Sequence, residues 1–335
     1  MSVFDEKGVW SKMRRCTLLD NGLVNYYLDS NDSTKKEDGT VADLTGNDGQ
    51  VMVEIPKFWY RKTSDSEIAK FEVSDSSREG MSIHPAFYRD RDGDGIAEEV
   101  DFRYYSAYLG YSSGGKLLSR RGVTPTVSQT IGSFRNLAEA RGNGWGLLDY
   151  NLLYAVQLLY ITEYGHPDSQ TTIGRGYVDG NSSSRTTGGT TQYGNKTFGE
   201  TTGKQQMSYR GIEDLWGNCY YWIDGINSDS NFNILIGNKS FNNAGAGYAS
   251  HATGNTSNTS GYIRDIQDGE DLGFIIKSSG GSVTSKLYDY GYFDSARVAY
   301  FGGAWAYASN AGVFCLRLHF SASSSSSSIG ARLSY

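Results

Sequence analysis

The chain is short of the residues that build catalytic and metal centres. It has three cysteines in 335 residues, Cys16, Cys219 and Cys315, widely spaced and forming neither a Cys-x-x-Cys pair nor a Cys/His zinc pattern. An odd number leaves at least one unpaired within the chain. The four histidines, His84, His166, His251 and His319, stand apart from one another, and no Ser/His/Asp set is recognisable around them. Basic residues are outnumbered, 31 Lys and Arg against 37 Asp and Glu, with no basic stripe, which argues against binding to nucleic-acid backbones. No apolar run approaches the roughly 18 residues of a membrane helix, and Met-Ser-Val-Phe-Asp-Glu-Lys-Gly has no cationic head or apolar core of a secretory signal. Export by lysis is the expectation for a protein that works outside the cell, and membrane insertion is not expected.

With only four prolines, the chain is rich in glycine (42) and tyrosine (25), and in Ser, Thr and Asn. That bias fits a loop-rich β protein and equally a recognition surface, since binding loops favour Tyr, Ser, Gly and Asn. Two apolar stretches flank Asp20-Asn21-Gly22, predicting a hairpin with Asn-Gly in the turn. Val51, Val53 and Ile55 alternate along a strand that Pro56 interrupts before Phe58-Trp59-Tyr60, and Val100 to Tyr111 reads as another strand. A helix is predicted from an N-cap at Ser128 to Arg141. A second opens at Asp149 and runs to Tyr164, apolar nearly all round and closed by Gly165 and Pro167. Long polar segments follow at 166–207 and 228–260, with strands near 262–266 and 272–276. The 166–207 segment is expected to be functional or mobile.

Asp90-Arg91-Asp92-Gly93-Asp94-Gly95 places carboxylates at alternate positions with a glycine for the sharp turn. Counting from Asp90, Glu98 falls at the ninth position and Asp101 at the twelfth. That spacing wraps oxygen ligands around a calcium ion acting as a structural clamp. The alternative is an acidic hairpin tip, because Asp rather than Glu closes the loop and no helix pair flanks it.

From Arg297 to Tyr335 two kinds of position alternate. Turn glycines and strand-spaced apolar residues form one set; Ala304, Ala306, Tyr307, Val313, Cys315, Arg317, His319, Phe320, Ser324, Ser326 and Ser328 form the other. The first set reads as scaffold and the second as a displayed ligand-binding surface.

Three motifs carry a resemblance. Gly211-Ile212-Glu213-Asp214-Leu215-Trp216-Gly217-Asn218-Cys219-Tyr220-Tyr221-Trp222, Gly302-Gly303-Ala304-Trp305 and Ile329-Gly330-Ala331-Arg332-Leu333 resemble the ordered signatures of the C-type-lectin-like and formylglycine-generating-enzyme superfamily. The resemblance covers about residues 51–335. It implies an α+β, C-type-lectin-like domain with two helices, short mixed sheets and long polar loops, preceded by an N-terminal hairpin or assembly segment at 1–50. Trp216 and Trp222 are expected as core, and Arg332 as an ion-pair partner.

The superfamily's enzyme branch oxidises a cysteine with copper held by cysteines near the C-terminal end. Here that region offers only Cys315. The other branch fits better: the alternation at 297–335 resembles the variable region of proteins diversified by retroelements, and the N-terminal text resembles lectin-fold phage tail proteins. That resemblance implies a non-enzymatic receptor-binding protein of a virion tail tip, trimeric and in contact with other tail proteins. It would attach to a host-surface protein or glycan, with Tyr307, Arg317 and Phe320 as anchors. The alternatives are a sulfatase-modifying-type oxidase and a structural virion or bacterial surface component.

Overall fold

The computed structural model describes residues 2–64, 69–180, 182–282 and 289–335. The fold is α+β, with few helices and mixed sheets. One sheet of six strands runs in the order Gly146–Leu147, Leu333–Ser334, Phe102–Ser106, Gln50–Pro56, Arg14–Leu18 and Val24–Tyr27. The N-terminal hairpin therefore lies in the same sheet as Leu333–Ser334, with two strands between them. Gly22, at φ +79°, makes its turn, and Arg14–Leu18 pairs in register with Gln50–Pro56. The Gln50–Pro56 strand is buried on both faces: Val51, Val53 and Ile55 enter one hydrophobic cluster and Met52 the other. The expected strand from Val100 to Tyr111 is shorter, Phe102–Ser106, and Tyr111–Ser113 pairs instead with Lys116–Leu118.

The second sheet has nine strands, with Tyr220–Ser228, Val298–Phe301, Leu316–Phe320, Tyr290–Phe293 and Thr259–Ile266 as consecutive neighbours. Most pairs are antiparallel, but Tyr290–Phe293 runs parallel to Leu316–Phe320, and Ile329–Gly330 parallel to Tyr220–Ser228. The strand expected at 272–276 begins only at Ile276. Gly273, at φ +53°, breaks the chain after a short 3₁₀ turn at Glu270–Leu272.

Helix α1 spans Ile131–Glu139 and helix α2 spans Tyr150–Tyr164. The cap of α1 is Thr130 rather than Ser128: Thr130 Oγ1 accepts the Ser133 N–H at 3.1 Å. Ser128 lies at φ +62° and gives its own N–H to the Ser326 carbonyl, so it cannot begin the helix. Asp149 caps α2 through the Leu152 N–H at 3.0 Å, and Gly165 ends it at φ +61°. Every residue from Tyr150 to Tyr160 is buried, as the all-round apolar pattern requires. Truncating a fully buried member such as Leu153 to alanine is expected to destabilise the fold by roughly 2–5 kcal/mol. None of the helices is long and apolar enough to cross a membrane among the described residues.

The polar 166–207 segment, apart from Asn181, which lies outside the described residues, is tied to the Gly211–Trp222 motif. The buried Glu213 carboxylate accepts from the Gly188 and Thr190 N–H groups, each at 2.7 Å, and from the Thr190 hydroxyl at 2.8 Å. The Asn218 side chain clamps Arg185 on both backbone groups, at 2.8 and 3.2 Å. Asp214 lies between Gln206 and Asn218, which donate to it at 2.7 and 2.8 Å. Burial, with the neighbouring Glu213 charge, pushes its carboxyl up to about 8.

Candidate ligand-binding face

The Leu316–Phe320 strand lies between two tyrosine-bearing strands, and its alternation decides what is displayed. Leu316 and Leu318 enter the larger core cluster, which sends Arg317 to the opposite face. The ladder to Val298–Phe301 then slips: Leu318 faces Ala299 and Phe320 faces Val298, leaving His319 without a partner on that strand. Such a bulge re-aims the following side chain. Phe320 accordingly stacks on Tyr300, ring centroids 5.1 Å apart and planes at 24°, while His319 lies 4.9 Å from Phe320 and 4.2 Å from Tyr292.

Arg317 stands in a cage of phenol rings. Its guanidinium carbon is 4.7 Å from the Tyr290 ring, 5.3 Å from Tyr220 and 5.5 Å from Tyr307, and the residue is only 9% exposed. Tyr307 packs edge-on against Tyr220 at 4.8 Å. Burial works against the charged form of Arg317, and the neighbours that oppose this, Cys315, Tyr220 and Tyr300, are themselves pushed up by burial and place no negative charge beside it at ordinary pH. Burial pushes the Cys315 thiol up, away from the thiolate, although the Arg317 charge opposes this. His319 is driven the other way: burial, then repulsion from Arg297 and Arg317, lowers its proton affinity.

The serine run is held at its backbone. Ser326 O accepts from Ser128 N at 3.0 Å and Ser328 O from Tyr220 N at 2.9 Å. Its hydroxyls pair among themselves, Ser321 with Ser323 and Ser324 and Ser326 with Ser328, all at 3.0 Å. Ser323, Ser325 and Ser327 are the exposed members, whereas the expected Ser324, Ser326 and Ser328 are half-buried.

The structure thus gathers Tyr307, Arg317, His319 and Phe320, leaves Ala306 exposed near them, and corrects three of the expected display positions. Ala304, Val313 and Cys315 are 0% exposed. Val313 is fixed against α2 by Gln157, whose amide donates to its carbonyl at 2.8 Å, and Ala304 and Cys315 lie in the second core cluster. Alternation along a sequence cannot tell a residue facing solvent from one facing a second core, and this strand has a core on each side. The sequence reading missed Tyr220, Tyr290, Tyr292 and Tyr300, contributed by neighbouring strands. The Tyr290-Gly291-Tyr292 alternation was the available signal.

The second scaffold motif supports this face. Gly302 and Gly303, at φ +102° and +90°, end the Val298–Phe301 strand, and a Cβ on Gly303 would lie 2.3 Å from that of Ala311. Gly217 N donates to Gly302 O at 3.1 Å and Trp305 N to Asn218 O at 3.2 Å, which locks the Tyr307 loop to the Gly-Asn motif. Arg332 departs from its expected role as an ion-pair partner. It is fully buried and donates to the backbone carbonyls of Ser106 at 3.0 Å, Asp214 at 2.8 Å and Glu213.

In the acidic loop, ligand oxygens of Asp90, Asp92 and Asp94 lie within 4.8 Å of one another. Asp90 also accepts the Gly93 and Gly95 N–H groups, at 2.7 and 3.0 Å. Glu98 and Asp101 do not belong to that group. Glu98 pairs through its backbone with Arg89, and Asp101 holds Lys57 at 2.8 Å. The three remaining carboxylates fit a partial oxygen cage rather than the full loop ligand set.

No family model and no curated protein matches the chain. Among solved structures it is similar to the Major Tropism Determinant M1 variant, at 15% identity over 83% of this chain and 71% of that one, with a TM-score of 0.34. It is also similar to PvdO from Pseudomonas aeruginosa, at 14% identity over 88% and 97% with a TM-score of 0.33, and to the Major Tropism Determinant I1 variant, at 13% over 88% and 83% with a TM-score of 0.33.

Proposed function

We propose that this chain is a non-enzymatic receptor-binding protein of a phage tail, attaching to its bacterial host through the face built by Tyr292, Tyr307, Arg317, His319 and Phe320. The observation that carries the reading is the convergence of aromatic rings and one arginine on a strand flanked by pinned loops, the residue types that dominate binding hot spots. The motif order at 211–222, 302–305 and 329–333 supports the lectin-like frame. Binding is favoured over oxidase chemistry because the cysteines are buried and free, and because burial pushes Cys315 away from the thiolate that copper ligation requires. Trimeric assembly with other tail proteins belongs to the same reading.

The test is adsorption of the purified chain to a panel of bacterial strains, with the double variant Tyr307→Ala, Phe320→Ala as the control. Binding to a strain by the intact chain and its loss in a folded double variant is the expected result; equal adsorption of both sinks the proposal. For the Asp90–Asp94 tip we propose a structural calcium ion, supported by the convergence of three carboxylates.

A further inference from the structure

Arg103, Arg135 and Arg210 each meet a carboxylate, at 2.5, 2.7 and 2.6 Å, and Arg332 meets backbone carbonyls; Arg317 meets neither. Its Nε and Nη2 are sealed from solvent with no hydrogen-bond partner, and among the described residues no carboxylate lies within ion-pair distance. Around it stand the faces of three phenol rings and the neutral Cys315 thiol and Tyr300 hydroxyl, none of them an anion. A guanidinium removed from water without an anion is the costly half of an ion pair. The missing half is an anion, and the planar fork of arginine matches a carboxylate.

The surroundings bear on who carries that carboxylate. Small-molecule and cofactor sites are concave. Two concavities of about 570 and 420 Å³ lie around Arg121, and none of the face residues lines either of them. Half-buried Tyr307, Phe320 and His319 border Arg317 instead, in the pattern of a protein–protein hot spot: a charged centre ringed by aromatics. We propose, resting on the receptor-binding reading, that Arg317 receives an aspartate or glutamate side chain of a protein receptor, with Tyr307 shifting to admit it.

The experiment uses the full chain on a strain to which it adsorbs. Arg317→Gln is expected to weaken adsorption at least tenfold while melting at or above the temperature of the parent protein. Protease treatment of the cells, or amidation of their surface carboxylates with carbodiimide and methylamine, should weaken parent adsorption to the same level. Arg317→Lys should restore part of it. If Arg317→Gln adsorbs normally while the Tyr307/Phe320 double variant does not, the face stands and this inference falls. Adsorption that survives protease but is removed by periodate assigns the ligand to a glycan and overturns it. A markedly lower melting temperature for Arg317→Gln makes the arginine a structural strut and overturns it as well.

Discussion

Arg332 and Arg317 lie fifteen residues apart near the end of the chain, both buried and both against tyrosine rings, yet the fold treats them oppositely. Arg332 is flanked by Tyr105 and Tyr221 at 5.7 and 4.8 Å and gives its hydrogens to three backbone carbonyls, joining the closing strand to the Gly211–Trp222 motif. Arg317 has the rings without the carbonyls. The difference separates a charge that completes the scaffold from one the scaffold leaves incomplete. Natural chains retain such locally destabilising groups where function requires them.

Arg332 is the arginine on which the fold depends most. Arg332→Met strands three buried carbonyls and is expected to lower stability by roughly 3–5 kcal/mol in urea denaturation. A loss below about 1 kcal/mol would remove the distinction between the two arginines. Next comes the face: Tyr307→Ala and Phe320→Ala should each weaken host adsorption by about 2 kcal/mol, roughly thirtyfold, with smaller effects on folding. Adsorption isotherms of folded variants measure this directly.

Asp214 tests the scaffold half through pH. Its folded-state affinity for a proton, about 8, exceeds the unfolded value, so the native state holds more protons than the unfolded one and stability falls as pH rises toward 8. Asp214→Asn should therefore gain about 2 kcal/mol on the parent between pH 6 and 8. Parallel pH–stability curves would show that Asp214 is not a neutral buried acid. Arg317→Met is expected to leave stability unchanged or raise it by about 1 kcal/mol, since replacing a buried charge that has no anion by an apolar side chain removes its desolvation cost. The smallest effect belongs to the acidic loop: calcium at a concentration equal to its Kd should stabilise the chain by about 0.4 kcal/mol, an increment abolished by Asp92→Ala. Calorimetric titration with calcium that gives no heat rejects that site.

Much of the frame was legible in the residues. Asp149 and Gly165 bounded α2, Asp20-Asn21-Gly22 marked a hairpin, and Gly217-Asn218 with Gly302-Gly303 located the tight backbone, because caps, αL glycines and continuous apolar helices act over a few neighbouring residues. Ser128 has the chemistry of a cap but does not begin α1, because it gives its N–H to Ser326, almost two hundred residues away. Of the expected display positions, Tyr307, Arg317, His319 and Phe320 come together in the structure, whereas Ala304, Val313 and Cys315 each pack into a core.

The sequence alone determined which segments turn, which form helices and which strand carries the arginine, since those properties follow from local backbone preference and period. Only the tertiary structure decided what each face of that strand meets. One side faces the α2 core; the other meets Tyr220, from a strand about a hundred residues earlier, as well as Tyr290 and Tyr300 from strands close by, and a one-residue bulge at His319 turns Phe320 toward them. Register and burial arise from long-range pairing, and no local pattern records which arginine will find its acceptors within the chain.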